Sequence, residues 1–176
     1  MKITSSVVTK GLSVKNAGIV ILNSYIPILF ERLVFINNHK FGVSESQHRA
    51  VHALEYLSIG SDHYSDSAQS LNNVLCGMAL SKPASESVEF SDDEKQLMDG
   101  LLKSAIAHWP AIGQSSVDGF RGNWLVRDGL LTEYDDKWEL RVAKRSFDIL
   151  LNKSPFSFSM IKYPWMEKPL HVNWPY

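Results

Sequence analysis

Two histidines stand four apart in His48-Arg-Ala-Val-His52, a spacing that puts both imidazoles on one face of a helix and suits a pair of metal ligands. Glu55 follows one turn on and could ligate, which would make a small metal-dependent enzyme of His48, His52 and Glu55. The position directly after the first histidine is Arg49, where a zinc hydrolase keeps the glutamate that acts as general base. A guanidinium accepts no proton and repels a cation. A polar helix edge therefore accounts for the pair better than a metal centre.

Other chemistry-bearing residues read the same way. The single cysteine, Cys76, excludes an internal disulfide and sits in the apolar stretch Val74-Leu-Cys-Gly-Met-Ala-Leu80, which predicts a buried, inert thiol. His108 falls in the last turn of a predicted helix, where its charge complements the dipole. Asp92-Asp93 and Asp135-Asp136 sit at a helix start and at a turn, both structural uses of a carboxylate. No Gly-x-Ser-x-Gly elbow occurs, and the ten glycines are scattered rather than gathered into a phosphate loop. The residues point to no catalytic site and no cofactor. With 18 basic and 19 acidic residues the net charge is −1, which argues against a nucleic-acid partner. Arg141, Lys144 and Arg145 read as a solvated strand end. The uncharged run from Ala17 to Phe30 is shorter than the ~20 residues of a membrane span and is interrupted by Asn23 and Pro27. No membrane segment is expected.

The elements that must position these residues follow from periodicity. Residues 1–16 read as a tail or weak strand. From Ala17 to residue 128 the chain is mainly helical. Ile26, Leu29, Phe30 and Leu33 mark one helix, capped by Asn23 or Ser24, with Pro27 in its first turn and Asn37-Asn38 at its end. Ser44-Glu-Ser-Gln47 reads as a capping box before a helix reaching about Ser58. Gly60 to Ser70 reads as loop, Leu71 to Ala79 as a short helix, and Lys82 to Phe90 as a linker. Ser91-Asp-Asp-Glu94 is a second capping box, opening the strongest helical stripe: Leu97, Met98, Leu101, Leu102, Ala105, Ile106 and Trp109. Ser115 or Ser116 caps a last helix, in which Gly119 and Gly122 suggest close packing and Gly129 a carboxy-terminal cap.

After Gly129 the period becomes two. Leu130 to Tyr134 and Trp138 to Val142 predict a β-hairpin about Asp135-Asp136-Lys137. Phe147 to Leu151 predicts a helical turn. Phe156, Phe158 and Met160, then Leu170, Val172 and Trp174, predict two further strands. All five tryptophans lie beyond residue 108, and the last twenty-odd residues are too apolar to stay loose. That segment must dock on the domain's own core or on a partner. Tyr163, Trp165, Met166, Lys168 and Trp174 are its candidate interface residues, with Trp165, between two strands, the foremost.

One series of stretches resembles a known family. Asn16-Ala-Gly-Ile-Val-Ile-Leu22, Ile26-Pro-Ile-Leu-Phe-Glu-Arg-Leu33 and Leu71-Asn-Asn-Val-Leu-Cys-Gly77 carry part of it. His108-Trp-Pro-Ala-Ile-Gly113, Trp138-Glu-Leu-Arg-Val142 and the terminal run from Ser157 to Trp174 carry the rest. Together they resemble the carboxy-terminal region of the tape measure proteins of extracellular contractile injection systems, which are phage-tail-like particles made by bacteria. The resemblance implies a structural role without an active site: a domain made in the bacterial cytoplasm, then held in the inner-tube lumen near the baseplate. It implies inner tube, hub and spike proteins as partners, and the particle's symmetry implies a homo-oligomer, a trimer among the options. Members are usually longer, so this compact chain is expected to anchor rather than to measure length.

The expectation is an α+β fold: an amino-terminal helical bundle over 17–128 followed by a small carboxy-terminal antiparallel β-sheet over 130–174, in one globular domain spanning 17–176. The expected function is that of a non-enzymatic assembly protein helping tube assembly and length control. The alternatives are the metal-dependent enzyme and a cargo-binding module of the same particle.

Overall fold

Alternation of apolar and polar residues after position 129 builds the sheet on which the helices rest. A computed structural model describes residues 4–61, 69–80 and 88–176. Strands β4 (Gly129–Tyr134) and β5 (Trp138–Val142) form the expected hairpin, with Leu131 opposite Leu140 and both fully buried. Leu130 and Arg141, paired on the other face, are exposed. This is the one-sided burial that a period of two encodes.

Two features of the sheet correct the expected order and pairing. The first strand, β1 (Val7–Val14), comes from the amino-terminal stretch and pairs antiparallel with β4, so the sheet is not confined to the end of the chain. On the other side β7 (Leu170–Asn173) lies parallel to β5, and the two-residue β6 (Met160–Ile161) pairs antiparallel with β7. The order is β1-β4-β5-β7-β6, and the sheet is mixed rather than antiparallel. A parallel neighbour demands a crossover, here supplied by residues 143–169. Phe156 and Phe158, read as strand, belong to that crossover and are only half-buried.

The helical part is α1 (Ile26–Arg32), α2 (Ser44–Ile59), α3 (Gln69–Leu75), α4 (Asp92–Ala107) and the short α5 (Val117–Phe120). The capping box on α4 is present: Ser91 Oγ accepts from the Glu94 N–H and Glu94 Oε1 from the Ser91 N–H. Ser116 caps α5 by accepting from the Gly119 N–H. The box expected at Ser44 does not form. Val43 is the cap residue there, and Gln47 instead donates to the Cys76 carbonyl. Neither Asn23 nor Ser24 caps α1, which begins after Tyr25 with Pro27 in its first turn. That helix also ends earlier than expected, at Arg32. Asn38 and His39 then adopt positive φ and turn a small hairpin of β2 (Ile36–Asn37) and β3 (Lys40–Phe41). Helix α3 stops at Leu75, four residues short of the expected end. The expected loop over 60–70 and linker over 82–90 lie largely outside the described residues. Among the described residues no helix is long and apolar enough to cross a membrane.

The uncharged stretch before α1 has a specific use. Ala17–Leu22 is a 3-10 helix whose six residues are all buried. It runs against a π-helical turn, Arg121–Leu125, that continues α5. The approach is so close that a Cβ on Gly18 would sit 1.6 Å from the Trp124 carbonyl oxygen. The close glycine is thus Gly18. A Cβ on Gly122 would meet nothing within 4 Å. Gly129 opens β4 rather than capping a helix, and its absent side chain leaves room for Ala17.

Gly18→Ala is expected to cost more than about 4 kcal/mol, because backbone cannot yield as a side-chain tip can. Gly100→Ala, inside α4 with open space around it, is expected to stabilise by about 0.5–1 kcal/mol. Urea denaturation of the two variants beside the wild type checks both signs.

Candidate interaction site

The terminal aromatic segment docks on this chain's own core. Trp174, just past β7, is buried, and its indole Nε1–H donates to Asp148 Oδ2 at 2.9 Å. Asp148 opens a 3-10 helix, Asp148–Lys153, where a helical turn was expected. Its carboxylate takes a two-pronged pair from Arg127, at 2.6 and 2.7 Å, and a third bond from the Arg145 backbone N–H. Both side chains of the ion pair are fully shielded from solvent.

Arg127 spends all its donors. Nε and Nη2 donate to the Asn123 carbonyl, Nη1 to the Ala143 carbonyl, and the remaining two N–H groups to Asp148. The rings of Trp124, Phe147 and Trp174 surround the guanidinium, with centroids 5.1–5.4 Å away. These contacts stabilise a cation in a dry site. Arg145, expected to be solvated, donates to the carbonyls of Gly122, Asn123 and Val126. The two arginines thus satisfy carbonyls that the end of the π-turn leaves open. Burial alone would raise the Asp148 carboxyl. The bonds from Arg127, the Arg145 N–H and Trp174 outweigh it and hold the group below its usual 3.8.

Upstream of β7 the other candidate interface residues are also engaged. Tyr163 and Met166 are buried, the Tyr163 hydroxyl donating to the Asn23 carbonyl at 2.8 Å. Burial, reinforced by nearby Cys76, pushes this phenol far above its usual range. Trp165 is half-buried. Its Nε1–H donates to the Leu75 carbonyl at 2.8 Å, and its ring lies 5.0–5.8 Å from those of Tyr163, Phe41 and Phe30. Gly77, at φ 70°, permits this, since a Cβ there would lie 2.3 Å from the Trp165 carbonyl oxygen. Lys168 pairs with Glu133 at 2.7 Å, donates to the Tyr134 carbonyl, and lies over the Trp138 ring. Of the five residues, Trp165 and Lys168 keep partial exposure, while Tyr163, Met166 and Trp174 hold the segment from beneath.

The histidine pair shows a different arrangement from a metal centre. His52 and Glu55 are both buried on α2, and Glu55 accepts from Gln69 at 3.1 Å. Arg49 pairs with Glu94 at 2.9 Å and stacks between Phe35 and Phe90. Among the described residues no group of three His, Cys, Asp or Glu side chains is placed to hold a metal. Cys76 is buried, and desolvation raises its thiol well above the ordinary value, which keeps it protonated and unreactive. His108 ends α4 with Nδ1 2.5 Å from the Tyr25 hydroxyl. An open groove of about 420 Å³ lies beside it between α1 and α4, with Leu97, Gly100 and Leu101 on its floor side and Ile28 and Arg32 opposite.

Sequence reading missed the Arg127–Asp148 pair. The two lie 21 residues apart in irregular segments, so no spacing rule links them. The only signal was an aromatic-rich context, with Trp124 and Phe147 three residues and one residue from the pair's members. Comparison with known proteins adds one finding. A family model described as contractile injection system tape measure protein matches residues 2–174. No curated protein matches the chain. No solved structure matches it either.

Asp148→Asn removes one charge of a buried pair and is expected to destabilise the chain by about 3–5 kcal/mol at neutral pH. The folded-state value of Asp148 lies below the unfolded one. Its contribution is therefore complete above the unfolded value and is lost as the pH falls through the folded one. Thermal unfolding of wild type and variant from pH 7 down to pH 3 should show the gap narrowing at the acid end. Trp174→Phe, which keeps the ring and deletes the donor, is expected to cost about 1–3 kcal/mol.

Proposed function

The chain belongs to the contractile injection system tape measure protein family, and we propose that it acts in its particle as an anchoring domain rather than as the ruler or a catalyst. The observation that carries this is that nearly the whole matched span builds one packed α+β core, running from Val14 to Trp174. A ruler works by extended length. Among the described residues the longest helices, α2 and α4, have 16 residues each and so reach about 24 Å. Four polar groups of the core, Arg127, Arg145, Asp148 and Tyr163, each close a structural contact.

The proposed location is the inner-tube lumen near the baseplate, with hub, spike and tube subunits as partners and a symmetric oligomer as the working form. The terminal segment would take part through its outer side. Pro164 and Glu167 are exposed and Trp165 and Lys168 half-exposed, over a base fixed by Tyr163, Met166 and Trp174. A rigid, prefolded patch of this kind binds without paying for its own ordering.

Electron microscopy of particles assembled with and without residues 4–176 tests the role. The expected result is baseplates that carry no tubes when the domain is missing. Tubes of normal length on the deletion background would overturn the anchoring role.

A further inference from the structure

Gly100 lies inside α4 with no reason in the fold to be glycine. Glycine weakens a helix interior relative to alanine. Gly18 and Gly77 answer to a neighbouring backbone, which a Cβ would strike. A Cβ on Gly100 would meet nothing within 4 Å, and its φ is not positive. The residue is exposed and lines the open groove of about 420 Å³ between α1 and α4. Ser104, one turn on, lines the groove too and is also small. The missing bulk leaves the backbone of α4 open to close approach from this side.

The apolar surface around Gly100 exceeds what the core uses. Met98, Leu102 and Ala105 of α4 are fully buried and form its core side. Leu97 and Leu101, which line the groove, are only half-buried. Across the groove Ile28 of α1 is 52% exposed. At one end the Tyr25 hydroxyl meets His108 Nδ1 at 2.5 Å and the two rings stack, tying the start of α1 to the end of α4. Two turns along α1 stands Arg32, the one lining residue with a fixed charge. It is exposed and in no ion pair among the described residues.

These features select an occupant. A regular helix spends its backbone donors and acceptors internally, so neither wall offers an edge to an added strand. Leu97, Gly100, Leu101 and Ser104 repeat at i, i+3, i+4 and i+7, a wall that accepts the matching ridge of another helix. A small residue at the crossing lets the two axes come close. The lone cation calls for an anion on the partner. Two copies meeting groove to groove would supply none. We propose that the α1–α4 groove seats an amphipathic helix of a different protein. That helix crosses α4 at Gly100, lays its apolar stripe on Ile28, Leu97 and Leu101, and sets an aspartate or glutamate against Arg32. The groove shares no residue with the terminal segment, so the inference stands apart from the anchoring role.

The test places a photo-crosslinking phenylalanine analogue at position 28 of the full chain, in cells that assemble the particle. Irradiation is expected to link it to another protein, and mass spectrometry of the linked peptide to show apolar residues at helical spacing with an acidic residue among them. A synthetic peptide of that segment is then titrated against the purified full chain. Gly100→Leu is expected to weaken binding about tenfold or more by occupying the crossing point. Gly100→Ala is expected to raise Tm by about 1–4 °C. Arg32→Glu is expected to weaken binding about threefold or more, and a peptide whose acidic residue is changed to lysine to restore it. Links to a second copy or within the chain alone, no link, or a linked segment without the helical pattern would overturn the proposal. So would a peptide that Gly100→Leu binds as well as the wild type does, or an Arg32→Glu variant without effect. A Gly100→Ala variant that melts below the wild type would show that the fold itself needs the glycine, and would overturn it too.

Discussion

A guanidinium with no water to serve it fixes much of this structure. Arg127 is fully buried, so each of its N–H groups must find an acceptor and its charge must find a counter-charge. The acceptors come from three places: the π-turn at Asn123, the segment after β5 at Ala143, and the 3-10 helix at Asp148, whose carboxylate also accepts from the Trp174 indole near the chain end. None of these can shift alone without leaving a buried polar atom bare. A buried ion pair is rarely more stabilising than a well-packed apolar replacement. Its effect here is to hold several irregular segments in one mutual geometry.

The same logic recurs across the helical layer. Arg121 donates to the Tyr56 and Leu57 carbonyls near the end of α2 and reaches Asp99 on α4 and Asp118 on α5. Arg145 does the like for the π-turn. Helix ends in this chain are short and often irregular, so their open carbonyls are numerous. Arginine, with a fork of donors on a long apolar stem, reaches them from a neighbouring element. This explains how helices of four to seven residues persist in a fold where propensity would not sustain them.

What could be read in the sequence divides along a physical line. The β4–β5 hairpin and α4 were legible because a period of two or 3.6 is local, and so was the Ser91 capping box, which closes within four residues. The Ser44 box was not, although its residue types are right, because Gln47 found the Cys76 carbonyl and tertiary contact outweighed the local option. The amino-terminal strand was only half legible: its residues are compatible with a strand, but its place at the edge of β4 depends on a partner over a hundred residues away. The parallel pairing of β7 was beyond local rules for the same reason. In the candidate interface, residue type gave the right segment and little about its facing. Three aromatics, a methionine and a lysine were not separable in sequence, and only packing separates Trp165 and Lys168, partly exposed, from Tyr163, Met166 and Trp174, buried.

That separation bears on how an aromatic segment can belong to the core and still present an outer side. β7 pairs with β5 on one side and with β6 on the other. Trp174, just beyond it, donates to the aspartate that Arg127 holds. The terminal segment therefore ties the sheet to the buried ion pair. A segment in that position cannot peel away to bind a partner without undoing the site that orders it. A partner of the proposed kind would have to take the outer side of the folded segment, where Trp165 and Lys168 keep partial exposure, as it stands.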